Sequence, residues 1–159
     1  MLRSIAFISL LGCAGAATAQ STQTFTASGE ILPGVCKIVF PDVDLGSHRA
    51  SLFTGSYQTP YVEFDGTVSD CDPLVLRVRM TFTGIADVNN AALFQGVDGV
   101  GIELARAVGG FSAPIPPGGS SPFATAAGVY PFRARFVQSS ATVLPGRVTR
   151  PVTVTLTYN

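Results

Sequence analysis

The single histidine, His48, stands beside Ser47 and close to Ser51, which together with an aspartate would make a Ser-His-Asp hydrolytic site. Such a site needs its serine raised on a tight glycine-flanked turn, and Gly110-Phe111-Ser112-Ala113-Pro114 lacks the closing glycine. His48 therefore reads as a surface-loop residue. The acid pairs Asp42-Val43-Asp44 and Asp70-Cys71-Asp72 invite calcium, but neither is followed by the run of oxygen ligands and the bidentate glutamate that a calcium loop requires. They read as turn residues bonding their own backbone. Cys36 and Cys71 lack the Cys-x-x-Cys spacing of a redox pair. No catalytic residue, metal ligand or cofactor is expected, and the chain reads as something other than an enzyme.

Composition narrows the choice further. Ten basic residues balance ten acidic ones in 159, charged residues are only 13%, and there is no basic tract, so there is no electrostatic footprint for nucleic acid. Hydrophobic residues at 47% supply ample surface to bury, which argues against disorder.

Residues 1–19, MLRSIAFISLLGCAGAATA, combine one positive charge at Arg3, an apolar stretch too short to span a bilayer, and small residues at Ala17 and Ala19. They read as a secretory signal peptide, with the mature chain starting at Gln20. Leu10-Leu11-Gly12-Cys13 also fits a lipoprotein box, although cleavage there would leave an unusually short leader. Removal of Cys13 with the signal leaves Cys36 and Cys71 alone in an oxidising compartment, where they are expected to form one disulfide. Closing that loop stabilises the fold by about 3–4 kcal/mol in the chain-entropy picture.

The elements that carry these residues have a period of two. Leu74, Leu76, Val78, Met80 and Phe82 alternate with residues that include Arg77 and Arg79; Tyr130, Phe132, Ala134 and Phe136 alternate with Pro131, Arg133 and Arg135; Val100, Ile102 and Leu104 make a shorter copy. Their arginines read as solvated strand faces. Further strands are expected around 31–40, 61–68 and 148–158, with at most a helical turn over 89–95. The Gly- and Pro-rich stretch 109–128 reads as a long surface loop. The sum is an all-β, immunoglobulin-like sandwich of about six strands, one short of the usual seven.

The last segment makes that shortfall informative. Val152, Val154, Leu156 and Tyr158 share one face and Thr153, Thr155 and Thr157 the other, so the chain is expected to stop while still in the core. A sandwich lacking its next strand would leave a groove exposing core side chains and unpaired backbone. Gln20–Ser28, uncharged and with Phe25 and Ala27 on one side, is the candidate for a detached strand that fills a neighbour's groove by β-augmentation. A contact of that kind does not close on itself and gives a fibre.

In this order the motifs resemble chaperone-usher pilins of the type 1 fimbrial family. They are Gly29-Glu30-Ile31, Cys36, Val43-Asp44-Leu45-Gly46, Ser69-Asp70-Cys71-Asp72, Gly99-Val100-Gly101-Ile102-Glu103-Leu104, Tyr130-Pro131-Phe132-Arg133-Ala134-Arg135-Phe136, Gly146 fourteenth from the end, and penultimate Tyr158. The resemblance implies a signal peptide over 1–19, a donor extension over 20–28 and a pilin domain over 29–159. It implies capture by a periplasmic pilus chaperone, export through an outer-membrane usher, and a place among neighbouring pilin subunits in an extracellular fimbria that supports adhesion. No membrane span is implied. Phe25 and Ala27 would be donor residues; Gly146, Val152, Val154, Leu156 and Tyr158 would line the chaperone and acceptor groove, with the Asn159 carboxylate held by the chaperone. The short extension suits a minor or adaptor subunit as well as a rod subunit. The competing reading is a self-contained, exported carbohydrate-binding sandwich whose ligand surface is the 109–128 loop.

Overall fold

The structure is a computed structural model that describes residues 26–30 and 34–158. The chain divides into two units, residues 1–32 and 33–159. In the first, residues 26–30 are exposed and form no regular element. The leader, Phe25, Ile31 and Asn159 lie outside the described residues.

The described residues of the second unit form nine strands: β1 (Lys37–Val39), β2 (Val62–Ser69), β3 (Arg77–Thr83), β4 (Phe94–Gln95), β5 (Val100–Val108), β6 (Phe111–Pro114), β7 (Ala124–Thr125), β8 (Gly128–Gln138) and β9 (Thr153–Tyr158). One sheet runs β1-β2-β8-β5-β4 with β6 added to β5, the other runs β7-β3-β9, and every ladder is antiparallel. The six expected strands are all present, and β4, β6 and β7 are short additions. The fold is an all-β, immunoglobulin-like sandwich with one disulfide, Cys36–Cys71.

Alternation places the core between the sheets. Phe132 of β8 is fully buried and meets Phe82 of β3 across the sandwich at 5.2 Å between ring centroids, with Phe40 and Phe64 at 5.5 and 6.0 Å. Phe40 gets there by crossing Gly66 of β2, where a Cβ would lie 2.5 Å from its ring. Only glycine leaves room for that aromatic.

Several expected boundaries move, each for a local reason. The apolar face predicted from Leu74 begins only at Val78, because Asp72 turns the chain: its Oδ1 accepts from the Leu74 N–H at 2.8 Å and its carbonyl from the Val75 N–H at 2.9 Å. Leu74 and Leu76 are left 87% and 71% exposed. The stretch 109–128 is not a free loop. Gly109 and Gly110, both at positive φ, turn β5 into β6, Ser120 bridges to Thr81, and β7 pairs with β3. Over 89–95 there is no helix; Asp87 caps a turn through the N–H groups of Asn89 and Asn90, and β4 follows.

The outward arginines are docked on aromatic rings rather than simply solvated. Arg79 lies over Phe123 at 4.3 Å, and Arg133 and Arg135 lie over Tyr61 at 4.5 and 4.1 Å, with Arg135 also paired to Glu103 at 2.7 Å.

Candidate functional site

β9 is made by its sequence: Val and Thr favour extended backbone, and the alternation turns Val154, Leu156 and Tyr158 toward the core while Thr153, Thr155 and Thr157 face out. On one side it pairs with β3 along its whole length, from Thr83↔Thr153 to Val78↔Tyr158. Its other side pairs with no described strand. β1 is likewise an edge, joined among the described strands to β2 alone, and its Ile38 and the flanking Cys36 and Phe40 also pack on the core while only half-buried. β1 and β9 are thus edges of two different sheets whose side chains pack on the same core.

At the lower end of these two edges the Cys36 N–H donates to the Tyr158 hydroxyl at 3.2 Å, and the Cys36–Cys71 bond fixes the start of β1 to the end of β2. Toward the upper end the chain has no ladder on either side, over 41–49 and over 143–152. Between these segments lies a cleft of about 880 Å³ lined by Val43, Leu45, Phe53, Ile102, Phe136 and Val148 among others. A second hollow of about 360 Å³ continues it, lined by Val88, Val97, Leu144, Arg147 and Arg150 among others. Its wall is set by Gly99 at positive φ, whose carbonyl accepts from the N–H groups of Ser139 and Ser140.

The expected site residues distribute as follows. Val154, Leu156 and Tyr158 share the core-facing side of β9, half-buried. Val152 does not join them: it precedes the strand and is 39% exposed, because Pro151 offers no N–H to extend the ladder. Gly146 lines both hollows. Ala27 is exposed in the first unit, and Phe25 and Asn159 are outside the described residues. Residues missed as lining are Phe53, Ile102, Phe136 and Val148; only the two-residue spacing of Val43 and Leu45 hinted at this wall from the sequence.

The polar candidates are occupied locally. His48 Nε2 bonds the Leu45 carbonyl at 2.9 Å with its ring against Phe136, and Asp44 Oδ1 accepts from the Gly46 N–H at 2.9 Å. The cleft is thus of mixed polarity, with Val43, Phe53 and Val148 beside Asp42, Asp44, His48, Arg147 and Arg150.

Comparison with solved structures finds the same architecture in pilus proteins. The crystal structure of the P pilus rod subunit PapA superposes with a TM-score of 0.63 at 20% identity, covering 78% of this chain and 99% of that one. A chaperone-usher pilus structure, described as revealing the basis of rod uncoiling, superposes with a TM-score of 0.62 at 18% identity over 91% of this chain and 100% of that one. The chain has the fold of a pilin. No protein-family model matches the sequence, and no curated protein matches it significantly.

Proposed function

We propose that this chain is a structural subunit of a bacterial surface fimbria. In this reading it is exported after loss of residues 1–19, held in the periplasm by a chaperone, passed through an outer-membrane usher, and polymerised by donor-strand complementation into a fibre that supports adhesion. Its role in this reading is structural and not catalytic. The observation that supports the reading is an edge strand, β9, whose three core-facing side chains are only half-buried and whose outer edge pairs with no described strand. Edges of this kind recruit strands, and proteins that leave them open either protect them or use them.

The donor is the segment 20–28 of the next copy. In an antiparallel pair, directly opposed residues share a face, so Phe25 and Ala27 must stand opposite core-facing positions of β9. One register that satisfies this sets Phe25 against Leu156, Ala27 against Val154 and Ser28 against Thr153. The chaperone holds the same groove before exchange and anchors the Asn159 carboxylate.

The test uses a subunit lacking residues 20–28. It is expected to bind a synthetic Gln20–Ser28 peptide and to accept a strand from the full mature subunit, yet to cap any fibre it joins because it cannot donate. If the shortened subunit polymerises as well as the full one, strand donation is not how copies associate.

A further inference from the structure

The two sheets differ in how their outward cations are balanced. Among the described residues the only ion pair joins Arg135 to Glu103 on the outer face of the larger sheet, where Glu63 also stands opposite Arg133 across the β2–β8 ladder. The smaller sheet, β7-β3-β9, carries Arg77 and Arg79 on its outer face and no acidic residue on any of its strands. Both arginines are exposed, and both lie over the ring of Phe123, at 5.8 and 4.3 Å, with Arg77 Nη2 also donating to the Phe123 carbonyl at 3.3 Å. Stacking on one ring holds two guanidinium groups side by side, two residues and so about 7 Å apart along the strand. Like charges fixed so close repel, and no described residue of this face offsets them. We infer that this face binds a linear acidic polysaccharide, the two guanidinium groups holding its acidic groups and the hydroxyl rows beside them its sugar hydroxyls. The inference rests on the fimbrial reading above for its repetition along a fibre, and it deepens that reading by naming the partner of the adhesion proposed there.

Register sets the hydroxyl rows. Thr155 stands opposite Thr81, which bridges in turn to Ser120, with 2.8 Å between the Thr81 and Ser120 hydroxyls. Thr153 stands opposite Thr83, and Thr157 opposite Arg79. Hydroxyls both donate and accept, which suits the hydroxyls of a sugar chain, whereas guanidinium groups only donate and select its acidic groups. A strand donated in the register given above sets Thr26 beside Thr155 and Thr24 beside Thr157, so the same rows widen by one strand in the fibre. Nucleic acid fits this face less well. Phe123 is already covered by the two guanidinium groups and offers no platform on which a base could stack.

The chain carries ten basic and ten acidic residues, so long-range attraction of a polyanion to the whole molecule is small and the local pair decides. A site of two cations binds weakly by itself. A fibre repeats it on every copy, and a polysaccharide long enough to touch several copies is held by all of them at once.

The test follows the fluorescence anisotropy of a labelled heparin decasaccharide titrated with the mature subunit, single and assembled forms being separated by sedimentation. Saturable binding that a dextran fragment of equal length does not compete is the expected result. Arg77→Gln with Arg79→Gln should weaken it about tenfold or more, and Lys37→Gln with Arg49→Gln, which removes the same charge elsewhere, by less than about twofold. Equal weakening by the two double variants reduces the effect to net charge and overturns the site. So does a thymidine oligonucleotide of equal charge that binds as tightly as heparin, or the absence of saturable heparin binding to either form. Thermal unfolding checks that the arginine double variant folds. If it does not, Arg79→Lys, which keeps the charge and loses the planar stack, decides: weakening of about threefold or more supports the site, and binding equal to the unsubstituted subunit overturns it. A subunit that binds heparin and forms no fibre keeps this site and removes strand donation, whereas fibres that form and ignore heparin do the reverse.

Discussion

Tyr130 shows how single side chains hold this fold. Its hydroxyl donates to the carbonyls of Thr125 and Ala126, tying the turn between β7 and β8 to the core, while Arg106 lies over its ring at 5.3 Å. Burial raises its pKa above the ordinary tyrosine value, with Arg106 pulling the other way. The neutral form is therefore the one the folded state prefers. Both states keep the proton at neutral pH; above about pH 10 the unfolded chain releases it first, so the folded state loses stability as pH rises through that range. Tyr130→Phe is expected to cost about 1 kcal/mol at neutral pH, from the lost hydroxyl bonds, and to flatten the decline in stability above pH 10. Denaturant unfolding at pH 7 and pH 10.5 measures both. At this scale the sequence is informative where oxidation state and local bonding decide: the Cys36–Cys71 pair, and Asp44 and Asp72 as turn-makers, are legible. The stacking of Arg79 on Phe123 and of Arg133 and Arg135 on Tyr61 is not, because it depends on partners 44 or more residues away.

Among elements, β9 is the one on which the proposed function rests. Its alternation is strong enough to read directly, and so are the patterns of β2, β3, β5 and β8. The ends of elements are harder, since they are set by local competition. Asp72 starts a turn where the apolar spacing alone would continue a strand, and Pro151 delays the ladder past Val152. β6 and β7 hide in a Gly- and Pro-rich stretch because two to four residues carry too little periodicity to register, and only pairing with β5 and β3 defines them. The face assignment of β9 has a direct consequence. Tyr158→Ser removes a half-buried ring and weakens the tie to Cys36 N–H, and should cost the peptide-filled subunit about 2 kcal/mol. Thr157→Ser, on the outer face of the same strand, should stay within about 0.5 kcal/mol. Urea midpoints of the two variants, each with its groove filled, check the contrast.

For the whole molecule, the two sheets meet through Phe132 and Phe82, and β1 and β9 are edges of different sheets. The cleft walls are poorly legible in the sequence, because Phe53, Ile102, Phe136 and Val148 come from four separate segments and share no pattern. The pilin fold, in contrast, is legible from the order of its motifs although sequence identity to the solved pilus structures is only 18–20%. On the strand-donation proposal the core is unfinished, unstable alone and much firmer once a strand is supplied. The most direct measurement moves residues 20–28 behind Asn159 through a short hairpin linker, so that the segment can fold back along β9 of its own chain. Thermal unfolding and sedimentation are then compared with a chain lacking the segment. The fused protein is expected to be monomeric at high concentration and to unfold about 10–20 °C higher, the gain that several kcal/mol gives a domain of this size. Equal unfolding temperatures, with the chain lacking the segment already a stable monomer, would contradict the account.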